Sequence, residues 1–162
     1  MAPYYVDREE RHVATGASIH IGGPAPMLAG DSEMVTEMSA QRVILVAEDE
    51  PALVEIFRRA LEREGYVVLS AENGRRALEV LASRSGEVDL VLSDVVMPGM
   101  GGRELVWRLK ETHPHIKVIL ASGYADADGA LQMIEDHGIA FVAKPVDLGV
   151  LVETVKQVLG DA

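Results

Sequence analysis

The chain has 162 residues, 48% of them hydrophobic and 25% charged, which is the balance of one ordinary domain with material for a real core. It contains no cysteine, so disulfides, thiolate catalysis and cysteine-based zinc sites are excluded. A formal net charge of -11 argues against nucleic acid or an anionic membrane surface as a direct partner, because both are met by clustered Lys and Arg.

No apolar run approaches the roughly 18 residues of a membrane span. The N-terminus lacks the apolar stretch of a signal peptide: Asp7 to Arg11 is charged and Gly22 to Pro26 is turn-forming. The expected location is the cytoplasm. Residues 1–41 are punctuated by Gly16, Gly22, Gly23, Pro24, Pro26 and Gly30 and hold no sustained period. They read as a flexible extension, with a docking segment as the functional alternative. A short helix over Ser32–Met38, capped by Ser32, fits the pattern, and Met38 offers an alternative start.

From Arg42 the pattern is regular. Val43–Ala47 is an apolar run that predicts a buried strand, and Glu48, Asp49 and Glu50 follow it. Pro51 suits a helix first turn, Leu53, Phe57, Ala60 and Leu61 mark its inner face, and Gly65 stops it. Tyr66–Leu69 is a second strand. Asn73-Gly74 opens a second helix with Ala77, Leu78 and Leu81 inward. Val88–Leu92 is a third strand, and Asp94 follows where the run gives way to the Pro98-Gly99 turn. A helix over about Gly102–Thr112 turns Leu105, Val106 and Leu109 inward, and Pro114 ends it. Ile116–Ala121 is a fourth strand, followed by Ser122, Gly123 and Tyr124 and a helix near Asp126–Asp136. Ile139–Ala143 is a fifth strand. Lys144-Pro145 leads to a last helix carrying Leu148, Leu151, Val152, Val155, Val158 and Leu159.

Strict β-α alternation, five times, predicts a doubly wound parallel sheet with helices on both faces and right-handed crossovers. In such a sheet the C-terminal strand ends form a ligand-binding rim. That rim receives Glu48 and Asp49 from strand one, Asp94 from strand three, Ser122 from strand four and Lys144 from strand five. Strand two offers only Ser70 and is expected at an edge. Three crowded carboxylates repel one another unless a cation compensates them. A hard divalent cation such as Mg²⁺ (or Mn²⁺) suits an all-oxygen set. With Lys144 it would stabilise a transferring phosphoryl group, Asp94 would be the nucleophile, and Ser122 would supply a hydroxyl to one phosphoryl oxygen.

Taken singly, each residue has an ordinary role. Acids favour a helix N-terminus, Asp94 could be a turn carboxylate, Ser122 a cap, and Lys144 a solvated lysine. Their joint placement at successive strand ends carries the argument. His113 and His115, which flank Pro114, read as surface residues, and His12, His20 and His137 give no ligand spacing. Trp107 lies off the Leu105–Leu109 stripe and is expected to be half exposed, with a partner contact as its alternative. Met97 reads as packing.

The segments Ile44–Pro51, Asp94–Met100, Ala121–Tyr124 and Phe141–Pro145 resemble the receiver domain of two-component response regulators, in order and over about residues 42–160. The resemblance implies a flavodoxin-like (βα)5 three-layer sandwich with strand order 2-1-3-4-5. It implies Asp94 as phosphoacceptor, Glu48 and Asp49 as the acidic pair for Mg²⁺, and Val96 as a backbone-carbonyl ligand. Ser122 would be the switch hydroxyl, Lys144 the family lysine before a cis peptide to Pro145, and Phe141 the switch aromatic. The Ser122-Gly123-Tyr124 variant looks most like receivers attached to hybrid histidine kinases. Expected partners are a sensor or hybrid histidine kinase, a histidine phosphotransfer protein and a downstream protein target, with a monomer or a phosphorylation-dependent dimer as the state. No output domain is expected after residue 160, so output falls to protein contact or a relay, or else the chain is a receiver cut from a larger kinase. The pattern departs from the family at Glu48, where Asp is more usual, at Ser122, where Thr is commoner, at Phe141, which has no hydroxyl, and at Gly101, where an acid is common.

Two other classes compete. A binding module with this fold could work without phosphorylation. A phosphatase with an Asp nucleophile would carry a second acid two residues on, where this chain has Val96. A nucleotide or flavin site is disfavoured by the acids after strand one, which would repel phosphate.

Overall fold

A computed structural model of the chain describes residues 41–84, 86–123 and 137–161. The strands are β1 (Val43–Ala47), β2 (Val67–Ala71), β3 (Leu90–Asp94), β4 (Lys117–Ser122) and β5 (Ala140–Ala143). The described helices are α1 (Pro51–Arg63), α2 (Gly74–Ser83), α3 (Gly102–Thr112) and α4 (Leu148–Leu159). The strands form one all-parallel sheet in the order β2-β1-β3-β4-β5, the doubly wound arrangement expected. The helix expected near 126–136, Tyr124 and the helix expected over 32–38 lie outside the described residues.

Strand periodicity of two divides the core between the faces. Ile44, Val46, Leu90, Leu92, Ile119 and Ala121 face Phe57 and Leu61 of α1 and Leu151 and Val155 of α4. Leu45, Ala47, Val91, Val118 and Leu120 face Ala77 and Leu81 of α2 and Leu105, Val106 and Leu109 of α3. A Leu or Ile buried this completely contributes about 1.5–3 kcal/mol of transfer free energy. Met97 is buried in the second cluster, as packing, and Trp107 is 57% exposed.

Helix ends follow local chemistry. The Asn73 side chain accepts from the Arg76 amide at 2.9 Å and caps α2. Asp147 accepts from the Val150 amide at 3.0 Å and caps α4. Gly65 takes φ +90° just past α1, where its amide donates to the Glu62 carbonyl at 3.0 Å.

The strands end nearer the rim than hydrophobicity alone suggests. β3 is Leu90–Asp94, against an expected Val88–Leu92, and β4 is Lys117–Ser122, against Ile116–Ala121. β2 likewise runs to Ala71. The ladder continues through polar residues, pairing Asp94 with Ala121 and Ser122 with Ala143. Edge strand β2 is covered by α1: Arg58 Nη1 donates to the Val68 carbonyl and Nη2 to Ser70 Oγ, each at 3.2 Å.

Candidate functional site

The rim residues come from four segments. β1 ends one residue before Glu48, whose amide donates to the Ala71 carbonyl at 3.0 Å. This bond ties the acidic turn to the neighbouring strand. Asp94 is the last residue of β3, Ser122 the last of β4, and Lys144 follows β5 directly. The Lys144 amide donates to the Ser122 carbonyl at 2.8 Å, extending the β4–β5 ladder by one bond. The Lys144–Pro145 peptide is cis.

Lys144 Nζ donates to Asp94 Oδ2 at 2.8 Å and to Glu48 Oε2 at 3.0 Å. Glu48 Oε1 accepts from the Glu50 amide at 3.1 Å, and Asp94 Oδ1 from the Val96 amide at 3.2 Å. Glu48 and Asp94 are buried while Asp49 is exposed. One oxygen from each of the three carboxylates lies within 4.8 Å of the others. Ser122 is buried, and its hydroxyl donates to the Gly123 carbonyl at 3.1 Å. Phe141 is half-buried against the core cluster formed with α2 and α3.

Charge does not balance here: three carboxylates face one ammonium. Burial pushes the Glu48 carboxyl above its ordinary value, and the hydrogen bonds from Lys144 and Glu50 only partly offset it. Burial alone would lower Lys144, but its hydrogen bonds to Asp94 and Glu48, and their charges, outweigh it and raise the ammonium. Both directions follow from an excess of negative charge in a place poor in water. An all-oxygen donor set of this sign fits a hard divalent cation.

The sequence reading brought Glu48, Asp49, Asp94 and Lys144 to this rim, and they are together. It left Ser93 and the glycine pair Gly101-Gly102 without a role. Ser93 is fully buried and its hydroxyl donates to the Asp94 carbonyl at 2.9 Å. Gly101 precedes α3, and a Cβ there would lie 2.8 Å from the Val95 carbonyl oxygen. The Gly102 amide donates to that same carbonyl at 3.0 Å. Two consecutive glycines one residue after the Pro98-Gly99 turn were the available signal, since close backbone approach asks for glycine.

A family model described as the response regulator receiver domain matches residues 44–156. The chain is 42% identical over 137 residues to the sensor kinase CckA of Brucella abortus, a match covering 83% of this chain and 14% of that protein. It is 32% identical over 117 residues to the DNA-binding transcriptional regulator NtrC of Escherichia coli K12, covering 72% of this chain and 24% of NtrC. The chain thus spans between a seventh and a quarter of these curated relatives. Among solved structures, a response regulator receiver domain protein from Clostridium thermocellum superposes with a TM-score of 0.70 at 26% identity, covering 74% of this chain and 94% of that one. A CheY-like receiver protein from Methanospirillum hungatei gives 0.66 at 30% identity, covering 75% and 95%.

Proposed function

This chain belongs to the response regulator receiver domain family, and from that premise we propose that it is a phosphoryl-accepting switch with Asp94 as the acceptor. The receiver unit spans residues 42–160. The observation that carries the reading is the Asp94 carboxylate at a strand end, 2.8 Å from Lys144 and grouped with Glu48 and Asp49.

Glu48, Asp49, Asp94 and the Val96 backbone carbonyl would hold Mg²⁺ (or Mn²⁺), which when bound would offset charge on the transferring phosphoryl oxygens. An Asp94 oxygen attacks the phosphorus of a phosphohistidine; the O–P bond forms, the N–P bond breaks, and the imidazole leaves with the electron pair and takes up a proton. Lys144 places its ammonium beside an incoming phosphoryl oxygen, and the Ser122 hydroxyl turns from Gly123 to meet another. These two contacts, with Phe141, bias the surface beyond β4 and β5 toward the signalling state.

The donor is a sensor or hybrid histidine kinase, or a histidine phosphotransfer protein. The reader is a downstream protein, reached by contact or by passing the phosphoryl group onward, and the domain is a monomer or dimerises on phosphorylation. The setting is the cytoplasm, without nucleic acid or membrane contact. Among the described residues no helix is long and apolar enough to cross a membrane.

The test is intact mass after incubation with Mg²⁺ and acetyl phosphate, for the parent chain and Asp94→Asn. One phosphoryl group on the parent alone, lost on chelation, is the expected result. Absence of an adduct, together with no spectral change on adding beryllofluoride, would replace this reading with a phosphorylation-independent binding module.

A further inference from the structure

Glu48 and Lys144 stand 96 positions apart in the chain and meet at 3.0 Å. The Glu48 side chain is 3% exposed and both of its oxygens are engaged. Oε1 is held by the Glu50 amide at 3.1 Å, from within its own turn, so local backbone fixes the carboxylate and thereby aims Oε2 at Lys144. The lysine is the mobile partner: a point charge on a flexible four-carbon stem whose side chain keeps 23% exposure. Asp94 alone would give it one anchor with water close by. Asp49, by contrast, is exposed and makes no hydrogen bond to Lys144 among the described residues.

We infer that Glu48 is a positioning residue for Lys144: it holds the ammonium against Asp94 Oδ2, where a phosphoryl oxygen must be met. The inference rests on the reading of Asp94 as phosphoacceptor. It assigns Glu48 a task set by reach, separate from the charge it lends to a cation. Asp at position 48 keeps the charge but withdraws the oxygen by about one C–C bond, roughly 1.5 Å. Gln keeps the reach and an acceptor oxygen but loses the charge.

The experiment follows the Lys144 ammonium resonance by ¹H–¹⁵N NMR in the metal-free full chain, assigned with Lys144→Arg, and measures its proton exchange with water. Glu48→Asp is expected to accelerate exchange about tenfold, the factor for one lost charge-assisted hydrogen bond. Glu48→Gln accelerates it less. Unchanged exchange in Glu48→Asp overturns the inference, as does faster exchange in the Gln variant than in the Asp variant, which would make charge rather than reach decisive. Should Glu48→Asp fail to fold, Glu48→Ala takes its place, with the same acceleration expected and unchanged exchange again fatal. Failure of the parent to gain a phosphoryl group at Asp94 would sink the acceptor reading and leave the Glu48–Lys144 assignment to the exchange rates alone.

Discussion

Gly102, the first residue of α3, lies so close to the end of β3 that a Cβ on it would stand 2.2 Å from the carbonyl oxygen of Asp94. The obstacle is backbone, which cannot swing aside as a side chain can. Gly102→Ala must therefore push α3 off the sheet or bend the strand that carries Asp94. The expected cost is about 1–3 kcal/mol, typical of overpacking, seen as a lower urea midpoint together with slower phosphoryl uptake by Asp94. A midpoint equal to the parent's would show that α3 shifts freely.

The two helical layers are unequal in what they tolerate on α3. Leu105 is fully buried between α2 and the sheet, so Leu105→Ala is expected to cost about 2–5 kcal/mol by chemical unfolding. Trp107, two residues on, meets the His137 ring edge-on at 5.0 Å but is otherwise exposed. Trp107→Ala should cost less than about 1.5 kcal/mol. Equal losses from the two would contradict this division of the helix.

Tyr66 donates its hydroxyl to Asp161 Oδ2 at 3.1 Å. Burial first, then this hydrogen bond and the Asp161 charge, push the phenol up to about 12. A pKa raised above its unfolded value of about 10 means stability fully present below pH 10 and lost as pH climbs through 12. Ultraviolet titration should show one tyrosine ionising late, absent in Tyr66→Phe. Asp161→Asn should bring that titration back toward 10; a late transition that survives the substitution would make burial its whole cause.

Glu48 follows the same sign, at a place where a cation is proposed to bind. Its folded pKa is raised, chiefly by burial, so it contributes stability below its unfolded pKa that is lost as pH rises through the folded value. Ionising Glu48 in the metal-free domain therefore costs stability, and a bound cation is expected to offset that cost. Mg²⁺ at 100 times its dissociation constant should raise unfolding free energy by about 2.7 kcal/mol. Calorimetry in buffers of different ionisation heat should find proton release on Mg²⁺ binding as pH falls toward the Glu48 titration. Affinity that stays flat with pH in that range would remove Glu48 from the cation's surroundings.

Much of this was legible in the chain itself, for identifiable reasons. Val43–Ala47 and Leu90–Leu92 announce strands because a strand covered on both faces needs no polar residue. The Asn73 and Asp147 caps lie where a polar residue precedes an apolar helical period. Strand ends were harder: hydrophobicity stops before Ser70, Asp94 and Ser122, whereas backbone hydrogen bonding is indifferent to side chains and runs on. Hardest were relations without a local trace. The contacts of Glu48 with Lys144 and Tyr66 with Asp161 join residues 96 and 95 positions apart.

Arg58 has a consequence for how this domain can meet others. A parallel sheet's outer strand ordinarily leaves a row of carbonyls and amides free to accept a strand from a stranger. On the β2 side one guanidinium, anchored on α1, has already claimed the Val68 carbonyl and the Ser70 hydroxyl. To add a strand there, a newcomer must first evict a cation from two acceptors. That margin is thus defended against chance pairing in a crowded cell, and recognition on that flank is left to side chains of helices and loops.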